Sequence, residues 1–285
     1  MDDMIKKIQS MTLSKTDRVI AEYILEHLNT VGFQTSTALA QDIGVSDTSI
    51  IRFIRKLGFK GYADFRQEMN ARIARQYNEV QKELSPGQKY AITREALNQD
   101  SLIQDAGSST IENLQKSYAK LDAATISQIA DIILSSNRKY VAAFRGTACC
   151  AHYMASKLVY LTPNVISLTH ADASSVEKIL DITADDCLIL YSFPRYSEIH
   201  YILMDIARER GAKIILITDQ VTSPLANKAD IVITAYVLGI GFTNSYVVPI
   251  SLSEMILLAI SSREDDTRNQ RIQKLDEVIG KHKLY

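Results

Sequence analysis

Between residues 140 and 235 short β-branched runs alternate with helical stretches, and this rhythm constrains the fold more than any other feature of the chain. The runs at 140–144, 165–168, 187–192, 213–218 and 231–235 read as strands. The first is followed by a helix to about residue 161, the second by one near 174–180, the third by one reaching 210, and the fourth by a loop. Strands at this spacing, separated by helices, predict an α/β domain with a parallel sheet flanked by helices on both faces.

The first quarter of the chain has a different period. From Met4 to about Tyr77 the pattern is helical throughout. Ser14 followed by Asp17 resembles a capping box, with Asp in place of the usual Glu or Gln. Val19, Ile20, Tyr23, Ile24 and Leu28 recur at helical spacing, and Gly32 offers a stop. Thr35 or Ser36 can cap a second helix with Leu39, Ala40 and Ile43, ahead of Gly44. Ser46 caps a third, carrying Ile50, Ile51, Phe53, Ile54 and Leu57 and ended by Gly58. A fourth starts near Tyr62 and runs through Phe65, Met69 and Ile73. Residues 76–100 are polar and contain Ser85-Pro86-Gly87, which reads as a partly helical linker. The expected division is therefore an all-α domain at 1–77, a linker at 78–105 and the α/β domain at 106–285. The charged tail 262–283 has Ile272, Leu275, Val278 and Ile279 at helical spacing, as in an amphipathic helix lying on its own domain or on a second subunit.

The second and third helices have the build of a helix-turn-helix. Ala40 is small where two helices must cross closely, and Gly44 sits where the turn needs positive φ. Val45, Ile50 and Ile54 can anchor the third helix on the second. That leaves Ser46, Asp47, Thr48, Ser49 and Arg52 around its exposed N-terminal face, where recognition helices meet base edges in the major groove. Arg52 suits a bidentate contact to guanine. Arg55, Lys56 and Lys60, with Arg66, Arg72 and Arg75, outnumber Asp64 and Glu68 and suit phosphate contacts. An acid at position 47 fits the helix dipole but not a DNA groove. The formal net charge of −1 excludes wholesale coating of nucleic acid, so any DNA contact must come from this local patch.

Composition narrows the remaining choices. A chain of 285 residues with 46% hydrophobic and 23% charged residues fits two folded domains rather than a disordered protein. No run of 18 apolar residues reads as a membrane span, and MDDMIKKIQSM lacks the apolar core of a secretory signal. Adjacent Cys149 and Cys150, with Cys187 alone, form neither a disulfide framework nor a zinc pattern. A cytoplasmic location and no metal or cofactor are expected.

Two strand-to-helix junctions look like ligand loops. In YVAAFRGTACCA, Gly146, Thr147 and the following backbone N–H groups lie where a helix N-terminus can hold an anion. In LILYSFPRYS, Ser192, Arg195, Tyr196 and Ser197 cluster at the carboxyl end of a strand, the edge where open parallel sheets bind ligands. Hydroxyls, an arginine and backbone amides suit phosphate. An ordinary turn with Ser197 as N-cap fits the second junction equally well. A third loop, TDQVTSP, with Asp219, Thr222 and Ser223, reads as turn chemistry. Cys149 and Cys150, at a helix start, would gain redox reactivity only if their thiols ionise easily.

The order of GVSDTSIIRFIRKLGFKGYADFR, YVAAFRGTACCAHYMASKL and LILYSFPRYSEIHYILMDIARERGAKIILITDQVTSPLANKADIVI resembles the RpiR family of bacterial transcriptional regulators over nearly the whole chain. The resemblance implies an N-terminal helix-turn-helix joined to a sugar isomerase (SIS) domain that senses a phosphosugar. It implies double-stranded operator DNA and a small phosphorylated sugar or related metabolite as partners, and a homodimer or homotetramer. Thr147 matches the family's phosphate-binding serine or threonine, and Ser192–Ser197 matches S-x-S-G-x-T. Pro194 departs from that pattern where a hydroxyl residue is usual, and Arg195 where glycine is usual. Two other readings stay open: a phosphosugar isomerase with an accessory helical domain, and a regulator whose SIS domain only oligomerises. The two loops contain no carboxylate or histidine besides Glu198 at the edge, which argues against an enzyme.

Overall fold

A computed structural model describes residues 8, 10–27, 31–66, 68–69, 86–97 and 99–283, and the chain divides into two compact units, Met1–Leu84 and Ser85–Tyr285. Leu28, Arg72, Ile73 and Arg75, and residues 78–85 of the expected linker, lie outside the described residues.

The first unit contains α1 (Lys15–Glu26), α2 (Ser36–Ile43), α3 (Asp47–Lys56) and a further helical stretch at 62–66. The capping box forms as expected: the Asp17 amide donates to Ser14 Oγ and the Ser14 amide to Asp17 Oδ2, both at 3.1 Å. Thr35 rather than Ser36 caps α2, accepting from the Ala38 amide at 3.1 Å. Gly44 ends α2 at φ 75°, a left-handed conformation, and Val45 N–H returns to Ala40 O at 2.9 Å to close the turn. Ile20, Ile24, Leu39, Ile50, Phe53, Ile54, Phe65 and Met69 share one core in which each is almost wholly buried. Burial at that level stabilises by about 1.5–3 kcal/mol per side chain, which sets the angle between α2 and α3.

The second unit opens with α4 (Pro86–Ala96), α5 (Leu102–Tyr118) and α6 (Ala123–Ser135). Part of the expected linker is thus a helix in which Lys89 and Thr93 are buried. The sheet follows: β1 (Lys139–Ala142), α7 (Ala148–Leu161), β2 (Val165–Leu168), α8 (Ala173–Ile179), β3 (Cys187–Tyr191), α9 (Glu198–Glu209), β4 (Lys213–Thr218) and β5 (Ile231–Thr234). Two helices close the unit, α10 (Val247–Ser261) and α11 (Asp266–Lys281). All five strands are parallel, in the order β2-β1-β3-β4-β5.

Alternate residues of each strand feed two separate cores. Val141, Ile189, Tyr191, Ile215 and Ile217 lie with side chains of α6, α7 and α10. Tyr140, Leu188, Leu190, Ile214 and Leu216 lie with those of α8 and α9. Helix α10 buries Val248, Leu252, Ile256 and Ile260 on one face but carries Val247 and Leu258 on the exposed one, so it has no clear polar stripe for a periodicity reading to find. The apolar stripe of α11 is only half covered: Ile272, Leu275 and Ile279 are half-buried and Val278 is exposed. Helix α5 secures the segment after β5, with Asn113 Nδ2 donating to Leu238 O and the Tyr236 amide donating to Ser117 Oγ at 3.0 Å. Among the described residues no helix is long and apolar enough to cross a membrane.

Candidate functional site

In the first unit α3 turns Ile50, Phe53 and Ile54 inward, leaving Thr48, Arg52 and Arg55 exposed on the opposite side. Ser46 caps the helix, its Oγ accepting from the Ser49 amide at 3.2 Å and lying 2.8 Å from Ser49 Oγ. Ser46 and Ser49 therefore shape the helix start, and Thr48 and Arg52 stand free to reach outward. Lys60 is exposed, its backbone N–H bonded to Asp64 at 2.8 Å.

Two of the expected DNA contacts face elsewhere. Lys56 Nζ is 2.7 Å from Asp17 Oδ2, and the Asp17 side chain is 1% exposed. Burial by itself would raise the Asp17 carboxyl. The bond from Lys56 and those from Ser14 outweigh it and hold the group below its usual range. A lysine that neutralises a buried carboxylate is a strut between α1 and α3 before it is a phosphate contact. Asp47 is half-buried with Oδ1 enclosed and unpartnered among the described residues. The Tyr62 phenol is pushed up to about 12 by burial, opposed by Arg66 and reinforced by the Asp47 charge, so this acid acts within the unit's own electrostatics.

In the second unit the strand order reverses between β1 and β3, and both expected ligand loops sit at the carboxyl ends of these two strands. That is the switch point at which open parallel sheets bind ligands. After β1 a 3-10 turn, Arg145–Thr147, leads into α7. Thr147 Oγ1 donates to the Tyr246 hydroxyl at 3.2 Å, and a Cβ on Gly146 would lie 3.5 Å from that same oxygen. The Tyr246 ring also lies 6.1 Å from that of Phe193 at 45°. Tyr246, just before α10, therefore bridges the two loops. Nothing in its sequence context, GFTNSYVV, marks it.

After β3 the two serines converge on one histidine. His200 Nδ1 accepts from the Ser197 amide at 3.2 Å, and lies 3.1 Å from Ser192 Oγ and 3.3 Å from Ser197 Oγ. Since the amide can only donate, Nδ1 is the unprotonated nitrogen, and both hydroxyl oxygens lie within reach of its one lone pair. Burial drives His200 down to about 4, which keeps the ring neutral near pH 7. Ser192 is fully buried, so its hydroxyl is directed at His200 rather than into the crevice, contrary to its expected direct role. Tyr196 donates to Asp219 Oδ1 at 2.5 Å, and burial followed by the Asp219 carboxylate pushes its phenol up. The third loop, expected to serve only as a turn, thereby joins the second.

Among the described residues Arg145 and Arg195 have no such partners. Arg145 and Arg195 both adopt positive φ, 57° and 73°, a conformation that costs a non-glycine residue about 1–2 kcal/mol. Arg195 is exposed, with no hydrogen bond or ion pair among the described residues. Lys89 of α4 is 8% exposed and likewise unpaired among the described residues. Burial, and then the charge of Arg195, lower its ammonium.

Cys149 is exposed and its thiol donates to Gly146 O at 3.3 Å. Cys150 is buried, and burial pushes its thiol up, as it does Cys187, to about 11. Both buried thiols therefore do not ionise easily, the condition on which redox reactivity depended, and Cys150 serves as a small core residue. A cavity of about 380 Å³ lies by the α5–α6 turn and β5, lined among others by Lys120, Asp122, Gln220 and Val232, and none of the candidate residues lines it.

The helix-turn-helix domain of the rpiR family matches residues 2–76, and the SIS domain matches residues 132–259. HexR of Escherichia coli (strain K12), an HTH-type transcriptional regulator, is 24% identical over 242 residues, covering 81% of this chain and 77% of its own. An uncharacterized HTH-type transcriptional regulator of Clostridium perfringens is 23% identical over 223 residues, 78% of this chain and 76% of its own. The sugar isomerase domain of an RpiR transcription factor from Sphaerobacter thermophilus superposes with a TM-score of 0.60 at 24% identity, covering 62% of this chain and 99% of that one. The Vibrio vulnificus NanR protein complexed with ManNAc-6P superposes with a TM-score of 0.55 at 19% identity, covering 97% of each chain. At these identities the structural likenesses concern the fold.

Proposed function

Because the chain belongs to the RpiR family of helix-turn-helix transcriptional regulators and carries its SIS domain, we propose that its first unit reads operator DNA under the control of a phosphorylated sugar, or a related anionic metabolite, bound to the second. One observation carries the effector half: the loops holding Gly146, Thr147, Arg195, Tyr196 and Ser197 flank the switch point between β1 and β3. The sugar phosphate bound to Vibrio vulnificus NanR supports the ligand class. In this reading Thr147, Ser197, Arg195 and the amides around Gly146 face the phosphate, Tyr196 borders it, and Ser192 acts through His200. Thr48 and Arg52 read bases, Arg55 and Lys60 hold the backbone, and Ser46, Asp47, Ser49 and Lys56 set the geometry of the recognition helix. The working species is a cytoplasmic homodimer or homotetramer, since paired recognition helices read paired half-sites. Residues 1–77 and 106–285 serve as the two functional domains.

The crevice favours sensing over catalysis. Isomerisation needs a base that reaches a sugar carbon. The carboxylate at the edge of the second loop, Glu198, is exposed, and His200 is buried with Nδ1 held by Ser197. Two measurements on the full chain test the proposal. Arg52→Ala should weaken operator binding by roughly tenfold or more, the loss of one bidentate base contact, and relax preference at one base pair. A panel of sugar phosphates should raise the melting temperature without being turned over. Unchanged affinity and base preference in the variant would remove the recognition-helix assignment, and product formation from any sugar phosphate would favour an isomerase.

A further inference from the structure

Tyr246 stands between the two ligand loops, and its hydrogen bonding is one-sided. The phenol oxygen accepts from Thr147 Oγ1 at 3.2 Å, and among the described residues nothing accepts the phenol's own proton. A tyrosine hydroxyl is both donor and acceptor, so half of its capacity is open here, on a side chain that is only half-buried. A Cβ on Gly146 would lie 3.5 Å from the same oxygen, and the ring is 6.1 Å from that of Phe193. The phenol thus stands against the backbone of the first loop with its ring beside a residue of the second. Its own backbone is fixed. Tyr246 is the N-cap residue of α10, its carbonyl accepting from the Ile250 amide at 3.1 Å, and the Ser245 amide donates to Val237 O at 2.7 Å. Asn113 and Ser117 of α5 hold the same segment at Leu238 and Tyr236. A donor placed in this way by the fold binds without the ordering cost of a mobile side chain.

On the reading of this crevice as the effector site, we infer that Tyr246 is a contact for the effector's phosphoryl group from a third segment of the chain, its phenolic hydrogen bonding a phosphoryl oxygen while Thr147 fixes the phenol from behind. The anion rather than the sugar falls to it because the phenol oxygen lies against Gly146, in the turn whose amides face the phosphate. A hydroxyl that accepts one hydrogen bond is polarised into a better donor of the next. Thr147, whose proton is directed to Tyr246, therefore acts on the anion through the phenol, as a positioning residue. The bond to a phosphoryl oxygen is charge-assisted, the stronger class of hydrogen bond. Tyr246 also returns to the crevice the hydroxyl that Pro194 takes from the second loop, where Ser192 and Ser197 lie on His200.

Thermal unfolding of the full chain in inorganic phosphate and in a panel of sugar phosphates, against chloride at equal ionic strength, tests the contact. Tyr246→Phe removes a single oxygen. It should raise the apparent dissociation constant about tenfold, the loss of one charge-assisted bond, and by the same factor for inorganic phosphate as for each sugar phosphate that binds. In chloride it should melt close to the wild type. Thr147→Val should also weaken binding and Thr147→Ser should restore it. Adding Thr147→Val to Tyr246→Phe should cost little more, because the two side chains act as one unit. A phosphate response unchanged in Tyr246→Phe overturns the contact and leaves Tyr246 a strut between the loops. A loss confined to sugar phosphates overturns its assignment to the phosphoryl group, and losses that add overturn the action of Thr147 through the phenol. If Arg195→Gly loses the response and Tyr246→Phe keeps it, the effector reading survives without the contact. If the wild type responds to neither phosphate nor any sugar phosphate, both fall.

Discussion

His200 ties Ser192 and Ser197 together, and its protonation would take that junction apart. Its folded pKa of about 4 lies below the ordinary histidine value near 6.5, so the unfolded chain takes up the proton first as pH falls. The contribution is fully present above pH 6.5, is lost progressively towards pH 4, and amounts to roughly 3 kcal/mol across that window at about 1.4 kcal/mol per pH unit. Urea midpoints of the second unit should fall from pH 6.5 to 4 in the wild type. In His200→Asn, whose amide oxygen replaces Nδ1 as an acceptor without titrating, that fall should flatten. An equal pH slope in both proteins would mean that His200 is solvated.

At the scale of the element, the turn between α2 and α3 decides whether the recognition helix is presented at all. Gly44 has φ 75° and open space where a Cβ would stand, so Gly44→Ala meets no clash and costs only left-handed backbone strain, about 1–2 kcal/mol. Gly61 has equally open space and no positive φ, so Gly61→Ala should be neutral or slightly stabilising. Comparing the two variants by chemical unfolding separates conformational strain from the mere addition of a methyl group. The Asp17–Lys56 pair acts at the same scale: it links α1 to the last turn of α3, where a cation also suits the helix dipole.

For the whole molecule, regulation is a statement about linkage. An effector that weakens operator binding by a given factor must itself bind operator-loaded protein more weakly by the same factor. With a typical coupling of about 1–3 kcal/mol, the shift is roughly 5–150-fold and should appear equally in the two titrations. Unequal factors at equilibrium would require a further state, such as a change in oligomer, coupled to one of the ligands.

The sequence by itself determined the elements whose period is local. The five strands, the caps at Ser14 and Ser46, the glycine at position 44 and the recognition helix all follow from propensity and spacing among near neighbours. It also placed both proposed ligand loops at strand ends, because in a parallel sheet the carboxyl end of a strand is where a loop must be. Helix α10, with no clear polar stripe, left no periodic signal. Only the tertiary structure decided which way the polar side chains face. Lys56 meets Asp17, and the loop serines meet His200. The physical reason is that a hydroxyl or an ion is satisfied by whichever group the fold brings within about 3 Å, whatever its distance along the chain. Tyr246 beside Thr147 stands 99 residues from its neighbour in sequence, and no spacing rule reaches that far.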